Sequence, residues 1–235
     1  MNDNKSLGII GGMGPQATQV FYQWILDRTV ADCDQDHVPT FILSDTAMPD
    51  RTQAILSGNT AAVYDRLLTD AKILESNGCA YIAIPCNTSH YFVDDLQKEL
   101  SVPILHMPRL TVKRLAESKK KKAAILATDG TVKTGVYHKE CEALGIEPWS
   151  PDVATQELVM DIIYKQIKRG EQGNRHTFAK IDSAVRAAGC DCAILGCTEL
   201  SVYRGYHDLP EFYIDAMEVL VENCILAFGK ELRMV

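Results

Sequence analysis

Short uninterrupted apolar runs alternate along this chain with longer stretches in which apolar and polar positions recur at helical spacing. The runs at 6–10, 39–45, 81–84, 102–107, 123–127, 192–195 and 212–215 read as strands, with a weaker one at 146–149. Helical spacing covers 16–30, 60–76, 110–118, about 131–144, 154–169, 175–188 and 216–228, with a further helix after each of the 81–84 and 192–195 strands. Unbroken apolar strands are those buried on both faces of a parallel sheet, and strand–helix alternation implies right-handed crossovers between them. The punctuation agrees with this reading. Pro15 suits a first helical position, where its missing N–H costs nothing; Asn59 or Thr60 can cap the start of the helix ending at 76; Asn77-Gly78 ends it; and 170–174 separates two later helices.

Two of the strands end alike. Tyr81-Ile82-Ala83-Ile84-Pro85-Cys86-Asn87-Thr88-Ser89-His90 is echoed by Cys192-Ala193-Ile194-Leu195-Gly196-Cys197-Thr198-Glu199: an apolar run, a turn-prone residue, a cysteine, then helix-compatible sequence. Each sulfur is thereby expected at the C-terminal edge of a sheet, where ligands of open α/β folds bind, facing a helix N-terminus whose dipole favours a thiolate. The first strand runs into Gly11-Gly12-Met13-Gly14-Pro15, and residues 12–17 fit the dinucleotide pattern G-x-G-x-x-A, with Asp45 as a ribose-binding acid. Against that reading, the acid comes late and Pro15 removes a phosphate-binding N–H. Arg51, in Pro49-Asp50-Arg51-Thr52, is either a solvated charge or a bidentate carboxylate clamp.

Composition narrows the classes. The 235 residues are 46% apolar and 23% charged with a net charge of −7, so there is no basic footprint for nucleic acid. The lysines at 119–122 follow a helix C-terminus, whose dipole they complement. No apolar run reaches membrane-spanning length, and the polar first residues lack an export core, so the expected setting is the cytoplasm with the eight cysteines reduced. Cys190, Cys192 and Cys197 cluster in sequence but without a Cys-x-x-Cys knuckle, so no metal site is expected. The remaining cysteines, Cys33, Cys79, Cys141, Cys190, Cys192 and Cys224, read as small apolar residues in or near cores.

Two similar acid/base residues suit one reaction in particular. Inverting a carbon centre requires a base on one face and an acid on the other, and each turnover exchanges their protonation states. Two thiols about 3–3.5 Å from that carbon on opposite sides would do this without a cofactor. Gly11-Gly12-Met13-Gly14-Pro15, Pro85-Cys86-Asn87-Thr88-Ser89-His90 and Gly196-Cys197-Thr198-Glu199 together resemble the aspartate/glutamate racemase superfamily over most of the chain. The glycine turn and Glu199, where glutamate racemases carry an Asp-Ser-Gly turn and a histidine, favour its aspartate racemase branch.

The resemblance implies an α/β protein of two pseudosymmetric flavodoxin-like domains with mainly parallel sheets and the active site between them. Residues 1–106 plus 210–235 would form the first domain and 107–209 the second. It further implies Cys86 and Cys197 as the acid/base pair and Asn87, Thr88 and Thr198 on the α-carboxylate. Met13 would line the pocket, Arg51 would receive the side-chain carboxylate, and Lys168, or failing it Lys165, would assist. Glu199 orients the pocket or caps its helix, and His90 is a structural partner. The expected substrate is aspartate, with glutamate or a broader set of amino acids in range, acted on by a homodimer without cofactor. Two alternatives stand beside it: another isomerase or decarboxylase of small dicarboxylates on the same scaffold, and an NAD-dependent oxidoreductase using the glycine turn.

Overall fold

The computed structural model describes residues 5–233; residues 1–4, on which the expectation of no export core partly rests, lie outside it. In chain order the elements are β1 (Ser6–Gly11), α1 (Pro15–Arg28), β2 (Thr40–Ser44), α2 (Arg51–Ser57), α3 (Ala61–Ser76) and β3 (Cys79–Ala83). After two 3₁₀ turns flanking a short α4 (Val93–Leu96) come β4 (Ile104–Leu105), α5 (Met107–Glu117), β5 (Lys122–Ala127), α6 (Asp129–Thr134), α7 (Val136–Ala143) and β6 (Glu147–Trp149). The chain closes with α8 (Val153–Met160), α9 (Arg175–Ala187), β7 (Cys192–Gly196), α10 (Thr198–Tyr206), β8 (Tyr213–Asp215) and α11 (Ala216–Ala227).

These elements fall into two compact units, residues 5–107 with 217–233, and residues 108–216. Each is built on a four-stranded, wholly parallel sheet of the same order, β2-β1-β3-β4 in the first and β6-β5-β7-β8 in the second. β1, β5 and β7 are apolar runs buried almost throughout, as strands covered by helices on both faces must be. In the first unit α11 closes the fold: Glu218 and Glu222 pair with Arg28, the Phe228 ring meets Tyr81 edge-on, and Val30 and Arg233 exchange backbone bonds with Glu231 and Arg28.

Five expectations need correction. Residues 210–216, expected with the first half, lie with the second, because β8 pairs in parallel with β7 through Ala193–Tyr213 to Leu195–Asp215. The helix expected after Cys86 is instead 3₁₀ at Thr88–Tyr91, then the four-residue α4, then 3₁₀ again at Gln97–Glu99, so that sulfur does not face a regular α-helical N-terminus. The single helix expected over 154–169 is α8 followed by a π segment, Asp161–Gln166, and a 3₁₀ turn, Ile167–Arg169. Thr60 occupies the N-cap of α3 with helical backbone angles and without a side-chain cap bond. Cys33 is exposed, its thiol donating to Asp36 rather than packing in a core.

The β1–α1 turn shows why glycine is required there. Gly12 has φ +87°, and a Cβ on it would lie 2.4 Å from the Asp45 backbone carbon. The glycine therefore lets the chain pass against itself, and Pro15 then opens α1 as its first residue.

Candidate active site

In the first unit the sequence-predicted residues gather at the C-terminal ends of β1, β2 and β3. Cys86 follows β3 by a tight turn, its N–H donating to the Ile84 carbonyl at 2.7 Å, and it is buried in one apolar cluster with Met13, Ile10, Met48 and Ile84. Asn87 and Thr88 are buried beside it. His90 clamps this turn: Nδ1 contacts the Cys86 carbonyl at 2.9 Å, while Nε2 accepts from the Met107 N–H at 3.1 Å. Burial above all, with the neighbouring His106, lowers its pKa to about 3, so it is neutral and fully engaged. Ser89 donates to the Met13 sulfur at 3.3 Å, a contact the sequence reading did not single out.

Arg51 is the first residue of α2, whose N-cap Asp50 accepts from the Gln53 N–H. Its guanidinium donates to the Pro49 carbonyl at 2.9 Å and the Met13 carbonyl at 3.4 Å, so the structure brings Met13 and Arg51 together. Asp45 is not available as a ribose-binding acid. Its carboxylate is gripped by both Nε and a terminal nitrogen of Arg66 and also accepts from the Ala47 N–H. With the space beside Gly12 filled by Asp45, the glycine turn is packed on its own chain, and the nucleotide reading loses its footing.

In the second unit Cys197 is the N-cap of the nine-residue α10, directly after β7. Its thiol donates to Glu199 Oε2 at 2.8 Å, Thr198 donates to the same oxygen at 3.4 Å, and Lys168 pairs with Glu199 Oε1 at 3.0 Å. Glu199 thus bonds the catalytic candidate and the lysine at once, with only 6% of its side chain exposed. Burial first, and then the Glu199 charge, push the Cys197 thiol well above its ordinary pKa, while Lys168 opposes them. From the π segment and the 3₁₀ turn, Lys168 meets Glu199, whereas Lys165 pairs with Asp161 at an exposed position. Beneath α10, Ser201 donates to Asp215 at 2.6 Å, tying the helix to β8. Among the described residues no three His, Cys, Asp or Glu side chains gather as a metal-ligand set, and no helix is long and apolar enough to cross a membrane.

Two parallel α/β units of one topology, each with a buried cysteine just past the end of its third strand, define the class: a duplicated α/β fold with a cysteine at the same place in each half. The family described as Asp/Glu/Hydantoin racemase matches residues 10–224, and the chain belongs to it. The broad specificity amino-acid racemase RacX of Bacillus subtilis is 31% identical over 94% of this chain and 97% of its own length. The aspartate racemase of Picrophilus torridus superposes with a TM-score of 0.82 at 31% identity, covering 97% of this chain and 96% of that one. A glutamate racemase from Francisella tularensis shares the fold at 17% identity, with a TM-score of 0.70 over 97% of this chain and 82% of that one.

Proposed function

We propose that this racemase interconverts L- and D-aspartate without a cofactor, with Cys86 and Cys197 as the two acid/base groups. One observation carries the reading: the two cysteines occupy the same place, the end of the third strand, in two sheets of the same order. Racemisation needs a proton taken from one face of Cα and another delivered to the opposite face, and a thiol–thiolate pair exchanges those roles on each turnover. Cys197, which donates to Glu199, is the acid at rest. Cys86 is then the base that removes the proton. In the return direction the roles reverse: Cys197, left as the thiolate by the forward step beside the Lys168–Glu199 pair, takes the proton while the Cys86 thiol delivers one.

Charge developing on the α-carboxylate would be held by Asn87, Thr88, Thr198 and adjacent backbone N–H groups. Met13 lines the pocket, and Arg51 takes the side-chain carboxylate as a two-pronged donor. Aspartate is the first expectation because Arg51 fits a dicarboxylate and because of the likeness to an aspartate racemase. The printed specificity of RacX keeps glutamate and other amino acids in the test set, since one methylene is worth only about 1–3 kcal/mol of discrimination. A homodimer, as the family resemblance implies, working in the cytoplasm completes the proposal. Light scattering at twice the 26.0 kDa chain mass checks the dimer.

The deciding experiment incubates each enantiomer of all common amino acids in deuterium oxide and follows chirality and α-hydrogen exchange together. Aspartate should exchange as it racemises, and Cys86→Ser and Cys197→Ser should each abolish racemisation. Full activity in both single variants would end the two-thiol mechanism.

A further inference from the structure

We infer that Arg66, acting through Asp45, is a positioning residue that holds Arg51 ready for a substrate's second carboxylate; the inference rests on the role proposed for Arg51. Arg66 projects from α3 and grips both Asp45 carboxylate oxygens, Nε on Oδ2 and a terminal nitrogen on Oδ1 at 2.8 Å. Asp45 is the first residue past β2, and it fixes two segments at once. Its N–H donates to the Gly11 carbonyl at 3.2 Å, and its backbone fills the space beside Gly12, which orders the turn leading to Met13. Its Oδ1 accepts from the Ala47 N–H at 3.0 Å and its carbonyl from the Met48 N–H at 3.5 Å, which orders the loop leading to Pro49. The Arg51 guanidinium donates to the carbonyls of both Met13 and Pro49. Arg66 is therefore linked, through Asp45, to the residues directly before both supports of Arg51, Gly12 before Met13 and Met48 before Pro49.

An ordinary surface ion pair would not be built this way. Asp45 is 8% exposed at its side chain, and one turn along α3 from Arg66 lies Asp70, also buried, with Oδ2 lacking a hydrogen-bond partner. Two buried carboxyls beside one arginine cost stability. Expense of that kind is characteristic of sites kept for function. Arg66 itself is 45% exposed, so it can be replaced without opening the core.

The test is steady-state racemisation of aspartate by Arg66→Met, Arg66→Lys, Asp45→Asn and the Asp45→Asn/Arg66→Met double variant, with Arg51→Met as reference. Arg51 grips a part of the substrate remote from the reacting carbon, so loosening it raises KM and leaves kcat in place. Arg66→Met and Asp45→Asn should each raise KM about fivefold, the double variant no further than either single, and Arg66→Lys should recover most of the loss. An unchanged KM in Arg66→Met, additive effects in the double variant, or kcat falling in step with thermal stability overturns the inference. If Arg51→Met leaves KM unchanged, the role of Arg51 is wrong and the inference falls with it, a result distinct from failure at Arg66 alone.

Discussion

Cys197 stands at a helix N-terminus, where the dipole favours negative charge, yet it keeps its proton because burial and the Glu199 carboxylate outweigh that dipole and Lys168. The two neighbours therefore act with opposite sign. Replacing Glu199 by Gln removes a charge that raises the Cys197 pKa and should shift its alkylation by iodoacetamide to lower pH. Replacing Lys168 by Met removes a charge that lowers it and should shift alkylation to higher pH. Shifts in the same direction for both variants would show that neither charge reaches the sulfur.

Asp70 offers a second titration at this scale. Burial first, and then the Asp45 charge, raise its carboxyl to about 6, against the opposing pull of Arg66. A folded-state pKa above the unfolded one means that stability falls as pH rises from about 4 to about 6, with the full cost present above that window. Asp70→Asn keeps a donor toward Asp45 and cannot ionise. It should be more stable than the parent by about 1–3 kcal/mol at pH 7 to 8, with the advantage gone below pH 4. Urea unfolding at the two pH values measures this, and equal stabilities at both would contradict the assignment.

Among the elements, α11 has the clearest energetic signature. Met217, Leu220, Val221, Cys224 and Ile225 are completely buried, and each large apolar side chain so placed stabilises by about 1.5–3 kcal/mol, a sum comparable with the whole margin of a typical domain. Truncation after Ala216 should leave a chain without a cooperative thermal transition; a sharp transition near that of the parent would show that the helix is dispensable.

What the sequence displayed at this level was set by local physics. β1, β5 and β7 were legible because parallel strands covered on both faces are uniformly apolar, and Pro15, Gly12 and Asn77-Gly78 mark turns by backbone constraint alone. The π segment was not legible, because Val153–Arg169 carries helical spacing throughout and its widened turn is decided by what it packs against. The broken helix after Cys86 was hidden in the same way. β8 was misassigned because a three-residue strand carries no sign of which neighbour it will pair with. The cysteines and Arg51 stood out by motif, whereas Arg66 and Asp70 read as one more helical charge pattern. Only the fold brings Asp45 to them.

At the scale of the whole chain, one strand order occurs twice, yet the two sulfurs lie in unlike surroundings. One is the N-cap of a nine-residue helix and bonded to a carboxylate, while the other precedes a run of tight turns under a neutral histidine. Mirror-image amino acids have equal free energies in water, so a catalyst cannot favour either at equilibrium however lopsided its own halves become. Under the two-thiol mechanism proposed above, whatever difference in turnover the unlike sulfurs create between forward and reverse directions must be cancelled by an equal difference in Michaelis constant.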